Sequence, residues 1–135
     1  MADQTLFDEL GGEPALRRII DRFVDRVFDD VMIGFFFRNA SRERLKAMEY
    51  EFAAQHLGAA VEYTGRPLDA AHARHPIMGG QFMRRLQILK ETLDEFAVPA
   101  HVRQHWIDHT ERLRPLITAD EGGRCDPTRV RTEAS

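Results

Sequence analysis

The chain has 135 residues, 43% of them hydrophobic and 30% charged, a balance typical of one soluble globular domain. The formal net charge of −3 comes from interspersed acidic and basic residues, which excludes the basic footprint of a nucleic-acid-binding protein. No apolar stretch approaches the roughly 20 residues that span a bilayer, and the N-terminus lacks the pattern of a secretory signal, so we expect a cytoplasmic protein that binds no membrane.

The first two helices are predicted from capping residues and apolar spacing. Thr5 followed by Asp8 is typical of a helix N-terminus, and Gly11-Gly12 is expected to end that short helix. Pro14 suits the first turn of a second helix. The apolar positions of this second helix are Leu16, Ile19, Ile20, Phe23, Val24, Val27, Phe28 and Val31. Their helical spacing predicts one wide face that forms a wall of the core.

A dense apolar segment from Met32 ends in three consecutive phenylalanines, Phe35, Phe36 and Phe37. These rings cannot all point into one seam between helices, so they need a larger apolar body nearby or they lie exposed. Ser41 is a predicted N-cap for a third helix, which runs to about Leu57 and ends at Gly58. Its inward stripe is predicted to be Leu45, Met48, Phe52 and His56, with Glu49 at the edge.

The second half of the chain continues the helical pattern. After a turn over residues 59–67, a short helix over about 68–74 carries His72. Pro76, Gly79 and Gly80 are expected to interrupt helical structure. The following helix is marked by Phe82, Leu86, Leu89, Leu93 and Phe96, and the last helix, which Val98-Pro99 begins, by Val102, Trp106, Leu113, Leu116 and Ile117. With no convincing strand, the fold class is predicted to be all-α.

The composition becomes polar after Thr118. We therefore predict one domain over residues 1–118 and a polar C-terminal tail over residues 119–135. Cys125, the only cysteine, lies in this tail, which excludes an intrachain disulfide and fits a reducing compartment.

The histidines are the residues that could carry chemistry. His72 lies among small alanines, which leave room for a bulky group to approach its imidazole, but a solvent-facing histidine is the more frequent case. His101, His105 and His109 follow one another at four-residue steps on the last helix and could meet one zinc or non-haem iron ion. Because Trp106 marks the buried side of that helix, a solvated polar face is favoured over this metal site.

The order of several short motifs resembles the truncated haemoglobin family, most closely its group I branch. The first of them is Leu6-Phe7-Asp8-Glu9-Leu10-Gly11-Gly12, and the second is the run Phe35-Phe36-Phe37, called the phenylalanine corner below. Then follow Glu51-Phe52, Leu57-Gly58, Tyr63-Thr64-Gly65-Arg66-Pro67-Leu68, and Ala71-His72 at the family's spacing. Each motif is weak alone, but their order and spacing are specific, and the likeness covers roughly Leu6 to Ile117.

The resemblance implies a two-over-two helical sandwich around a b-type haem, with His72 as the axial ligand of the iron. The haem would give the phenylalanine corner its flat apolar partner. The residues implied as haem contacts are Phe36, Phe37, Leu45, Met48, Phe52, Ile77, Phe82 and Leu86. Arg74 and His75 flank the ligand and are favoured over Arg66 as partners of the haem propionates.

The distal side departs from the family pattern. Many group I members carry a tyrosine where this chain has Val24, and a glutamine is common where it has Glu49. Glu49 either faces solvent or lies over the iron as a protonated carboxyl that donates to a ligand or assists peroxide cleavage. Met48 is a candidate sixth ligand, and Arg85 is interpreted as a surface arginine.

The leading functional interpretation is a haem protein that binds small diatomic ligands, namely oxygen, nitric oxide or carbon monoxide, with oxygen transport among its roles and a reductase as a candidate partner. One alternative is a haem-dependent oxidoreductase with peroxidase-like, nitrogen-oxide or oxygen chemistry. A further alternative is a non-haem metal-binding helical module that uses His101, His105 and His109.

Overall fold

A computed structural model describes residues 4–64 and 79–117, and every regular element in these two stretches is helical. The elements in chain order are α1 (Leu6–Leu10), α2 (Gly12–Asp29), a 3₁₀ turn (Gly34–Phe37), α3 (Arg42–His56), α4 (Gly79–Glu95), α5 (Ala100–Arg112) and α6 (Arg114–Ile117). The predicted all-α class is therefore confirmed. Within the described ranges, no helix has both the length and the apolarity to cross a bilayer.

The N-terminal cap is formed as predicted. The Thr5 hydroxyl accepts a hydrogen bond from the Asp8 backbone N–H at 3.1 Å, and the Asp8 carboxylate accepts one from the Thr5 N–H at 3.3 Å. Helix α1 ends at Gly11, whose φ of 123° is a conformation that side chains with a Cβ rarely adopt. Helix α2 starts directly after it, with Pro14 in its first turn.

The core is built around α2, which packs against α3 and α4. Six of its predicted apolar positions are buried: Leu16, Ile19, Ile20, Phe23, Val24 and Val27. They meet Leu86, Ile88, Leu89 and Leu93 of α4 and Val102, Trp106 and Ile107 of α5. The prediction was wrong for Val31, which is 95% exposed because α2 ends two residues earlier, at Asp29.

The corner after α2 is fixed by the carboxylate of Asp30. It accepts hydrogen bonds from the backbone N–H groups of Met32 and Ile33 at 3.0 and 3.2 Å, and from Arg84 of α4 at 2.9 and 2.6 Å. The hydrogen bond from Arg84 holds the pKa of Asp30 below its ordinary value. Ile33 is buried, whereas Phe35 remains half exposed.

Helix α3 has the predicted ends but not the predicted core face. The Ser41 hydroxyl caps it by accepting from the Arg44 N–H at 3.2 Å, and Gly58 follows its end with a φ of 100°. Its buried residues are Tyr50, Ala53 and Ala54, with the C-cap Leu57 beside them, whereas the predicted stripe of Leu45, Met48, Phe52 and His56 lines a cavity. Gly79 and Gly80 lie inside the first turn of α4 and do not interrupt it.

Candidate functional site

A cavity of about 750 Å³ lies between α3, the 3₁₀ turn, α4 and α5. Its size is that of a pocket for a cofactor or another small molecule. The described apolar and aromatic residues of its lining are Ile33, Phe36, Phe37, Ala40, Leu45, Met48, Phe52, Ala53, Tyr63, Phe82, Trp106 and Leu113. The polar ones are Asn39, Ser41, Arg44, Glu49, His56, Thr64, Gln81, Arg85, His109 and Thr110.

Aromatic rings supply much of the cavity wall. Phe36 and Phe37 come from the 3₁₀ turn, where Phe37 stacks on Phe28 with ring centroids 5.5 Å apart. Phe52 contacts Tyr63 edge to face at 5.3 Å. Because aromatic side chains bury large rigid surfaces, this wall suits a large flat apolar group.

An ion pair lies in the cavity lining and joins two helices. Nη2 of Arg85 on α4 donates to both carboxylate oxygens of Glu49 on α3, at 3.1 and 3.2 Å. The two side chains are 24% and 25% exposed. The Arg85 guanidinium also lies 4.9 Å from the ring centroid of Phe23, a distance at which a cation and an aromatic face attract. Arg85 therefore does not have the surface role that we expected from the sequence.

Three imidazoles stack at one end of the cavity, where α3 meets α5. The rings of His56 and His109 are 4.0 Å apart and nearly parallel, and His105 lies 5.6 Å from His56. Nε2 of His105 donates to the His56 carbonyl oxygen at 3.1 Å. Nδ1 of His56 and Nδ1 of His109 are buried without a hydrogen-bond partner within the described structure.

Burial favours the uncharged imidazole at two members of this stack, His56 and His109. Desolvation, together with the positive charges that His109 and His105 would carry, lowers the pKa of His56 to about 3. Desolvation also lowers the pKa of His109, with smaller contributions from Arg112 and His105. Neutral imidazole is a good ligand for metals and a good neighbour for an apolar group, so the stack is compatible with either.

The interpretation of the last helix was wrong in part. His101 is exposed and pairs with Glu9 of α1, as expected for a solvated position. His105 and His109 instead contact His56 of α3, because the buried side of α5 is wider than Trp106 alone indicates and also includes Thr110. Among the described residues, no three histidines, cysteines or carboxylates are placed to hold a metal ion.

The cavity gathers seven of the residues predicted for the site, namely Phe36, Phe37, Leu45, Met48, Glu49, Phe52 and Phe82. Leu86 differs: it is fully buried in the core cluster and is absent from the described lining of the cavity. Val24 is likewise a core residue. His72, Arg74, His75 and Ile77 lie outside the described residues.

The described residues fit a haem. Haem needs a cavity of several hundred Å³ with apolar walls for its flat face and a few polar groups beside it. The cavity offers Phe36, Phe37 and Phe52 for the first requirement, and its polar lining includes Arg44 and Arg85.

Sequence reasoning missed several lining residues. His109 and Trp106 were assigned to opposite faces of the last helix, yet both line the cavity. Arg85 was expected at the surface, although it follows Phe82 by three residues and so shares its helix face. That spacing was the one signal that could have placed it at the site.

Comparisons with known proteins agree with this geometry. A family model described as bacterial-like globin matches residues 5–119. The chain is similar to the group 1 truncated haemoglobin of Mycolicibacterium paratuberculosis, with 29% identity over 120 residues that cover 89% of this chain and 88% of that protein. It is also 31% identical to the group 1 truncated haemoglobin of Synechocystis over 99 residues, which cover 70% of this chain and 80% of that one.

Solved structures give the same result. The Fe(III) form of the truncated haemoglobin from Tetrahymena pyriformis superimposes with a TM-score of 0.80 and 25% identity, covering 87% of this chain and 100% of that chain. The haemoglobin from the thermophilic phototrophic bacterium Chloroflexus aurantiacus gives a TM-score of 0.78 and 27% identity, again covering 87% of this chain and 100% of that chain.

Proposed function

Because the chain belongs to the bacterial-like globin family and has the truncated haemoglobin fold, we propose that it binds small diatomic ligands at a b-type haem whose iron is ligated by His72. The observation that carries the proposal is the aromatic cavity of about 750 Å³, which has the size and walls that a haem requires. Bound haem iron would supply a coordination position for oxygen, nitric oxide or carbon monoxide.

The residues proposed to hold the haem divide into two groups. Phe36, Phe37, Phe52 and Phe82, with Leu45 and Met48, would pack on its apolar surface and exclude water from it. His72 would coordinate the iron through a neutral imidazole nitrogen, and Arg74 or His75 would pair with the propionates. The roles of His72, Arg74 and His75 rest on the family resemblance, and those of the other residues rest on their place in the cavity lining.

The absorption spectrum of the purified chain tests the proposal. We expect a strong Soret band in the ferric, ferrous and carbon monoxide-bound states of the wild type, and its loss or a clear shift in His72→Ala. His101→Ala is the matched control, because this exposed histidine pairs with Glu9 of α1 and is absent from the described lining of the cavity.

His109→Ala is the second comparison, because His109, like His56, lines the cavity and has a buried ring nitrogen without a hydrogen-bond partner in the described structure. A Soret band that is unchanged in His72→Ala but lost in His109→Ala would assign the iron ligand to the stack instead. A wild-type chain without a Soret band, even after haem addition, would refute the proposed function.

A further inference from the structure

The ion pair between Arg85 and Glu49 is unusual for its surroundings. Both side chains are about three-quarters buried, and they line a cavity whose other walls are largely aromatic. Removing two charges from water costs free energy that their mutual attraction only partly returns, so a well-packed apolar pair would stabilise the fold as well or better. Stability alone therefore gives no reason for charges at this position.

The geometry of Arg85 leaves part of its hydrogen-bonding capacity unused. A guanidinium has five N–H donors, and in this pair only those on Nη2 are directed at Glu49. Within the described part of the chain, Nε and Nη1 have no hydrogen-bond acceptor. The contact with the Phe23 ring and the pairing with Glu49 together fix the guanidinium in place, so the unused donors are preorganised.

The charged side chains that line the cavity carry a net positive charge. Its described lining contains two cationic side chains, Arg44 and Arg85, and one anionic side chain, Glu49. Val24 of α2 lies in the core cluster, and its apolar side chain cannot donate a hydrogen bond to a ligand. Arg85 is thus a fixed charged donor at a lining with an excess of positive charge.

We propose that Arg85 is the hydrogen-bond donor for the ligand of this cavity, and that the cavity consequently favours small anions with an oxygen, nitrogen or fluoride acceptor, such as nitrite, azide or fluoride. Glu49 is then a positioning residue that holds the guanidinium and moderates its charge. The inference rests on the proposed function, because the anion would occupy the same position as a diatomic ligand.

Anion titration of the haem-loaded ferric protein tests this assignment, with azide and fluoride as probes and the Soret band as the readout. Arg85→Leu should weaken the affinity for both anions on the order of tenfold or more, because a charged hydrogen bond is lost. The loss should exceed any change in carbon monoxide affinity of the ferrous protein by at least about tenfold, since carbon monoxide carries no charge.

Three further variants separate the contribution of the Arg85 donor from that of the local charge. Glu49→Gln should tighten anion binding by roughly threefold or more, because a negative charge leaves the cavity lining. Arg85→Leu combined with Glu49→Gln should still bind anions about tenfold more weakly than Glu49→Gln alone, which excludes repulsion by an unpaired carboxylate as the cause. Arg85→Lys keeps the charge but not the planar fork and should lie between wild type and Arg85→Leu.

Arg84→Gln is the matched control for net charge. Arg84 neighbours Arg85 in sequence but pairs with Asp30 outside the cavity lining, so its replacement should change anion affinity by less than about twofold. Equal anion affinity in wild type and Arg85→Leu, in a protein that takes up haem and binds carbon monoxide, would overturn the inference alone. A wild-type chain that takes up no haem would overturn the proposed function and this inference with it.

Discussion

Replacing His56 with leucine should make the stability of the chain less sensitive to acid. The His56 ring lies against His109 at 4.0 Å and meets Trp106 edge to face at 5.7 Å. Burial and the neighbouring imidazoles lower its pKa to about 3, and Arg112 on the same side of α5 contributes in the same direction. The folded chain thus holds His56 neutral where the unfolded chain would protonate it.

The sign and size of the effect follow from proton linkage. Since the folded pKa lies below the ordinary value of 6.5, the unfolded state binds more protons between these two values, and the folded state loses stability as the pH falls. Each pH unit below 6.5 corresponds to about 1.4 kcal/mol, so at about pH 5 the contribution of His56 is a loss of about 2 kcal/mol. Below the folded pKa the loss levels off.

Urea unfolding of the haem-loaded protein, followed by circular dichroism, measures this difference. The free energy of unfolding is determined at about pH 8 and about pH 5 for wild type and His56→Leu, and the drop between the two pH values is compared. Acid effects shared by both proteins cancel in that comparison. Gln55→Leu is the control, because Gln55 is the exposed neighbour of His56 and carries no titratable group.

The wild type should lose about 2 kcal/mol more than His56→Leu between these pH values, and Gln55→Leu should behave as the wild type. Parallel losses in wild type and His56→Leu would refute the reasoning, because His56 would then titrate in the folded chain as it does in the unfolded one. A change that is equal at both pH values would report only the packing of leucine beside Trp106.

Two predictions concern local structure, and thermal or urea unfolding measures both. Asp30→Ala should lower the free energy of unfolding by about 2 to 4 kcal/mol, because the variant loses two hydrogen bonds from backbone N–H groups and leaves Arg84 without its partner. Asp30→Asn keeps an acceptor and should lose less stability. Equal losses in the two variants would contradict this account. Gly58→Ala should cost about 1 to 3 kcal/mol, because its φ is 100° and a Cβ would lie 3.1 Å from Thr5. Gly80→Ala, in the first turn of α4 with open space around its Cβ position, should be neutral or stabilising by up to about 1 kcal/mol, and a similar loss at both glycines would exclude backbone strain as the cause.

The sequence predicts best those features that depend on residues close together in the chain. The cap formed by Thr5 and Asp8 spans three residues, and both hydrogen bonds of the predicted pattern are present. The Ser41 cap of α3 is equally local. Val31 was misplaced because apolar spacing continues past the point where α2 ends, and the turn that ends it is set by Asp30 bonding to Arg84, 54 residues away.

The polar part of the candidate site depends on contacts that no local pattern contains. Glu49 was predicted either at the surface or as a protonated acid, because neither its burial nor its partner can be read from α3 alone. Its partner, Arg85, lies 36 residues away on α4. The pairing makes the Arg85 guanidinium the donor and the Glu49 carboxylate the acceptor, a role that neither helix reveals on its own.

The third helix shows why hydrophobicity alone identifies the wrong face as core. Helix α2 packs closely against α3, and close approach requires small side chains such as Ala54, which is fully buried in the core cluster. The wall of a ligand cavity has the opposite requirement, since large side chains such as Phe52 must reach across space to contact the ligand. A sequence pattern weighted by hydrophobicity favours the large residues, and on a helix between core and cavity it therefore selects the ligand-facing side. The face that such a pattern selects on α3 is consequently evidence for a cavity, provided that small residues occupy the opposite face.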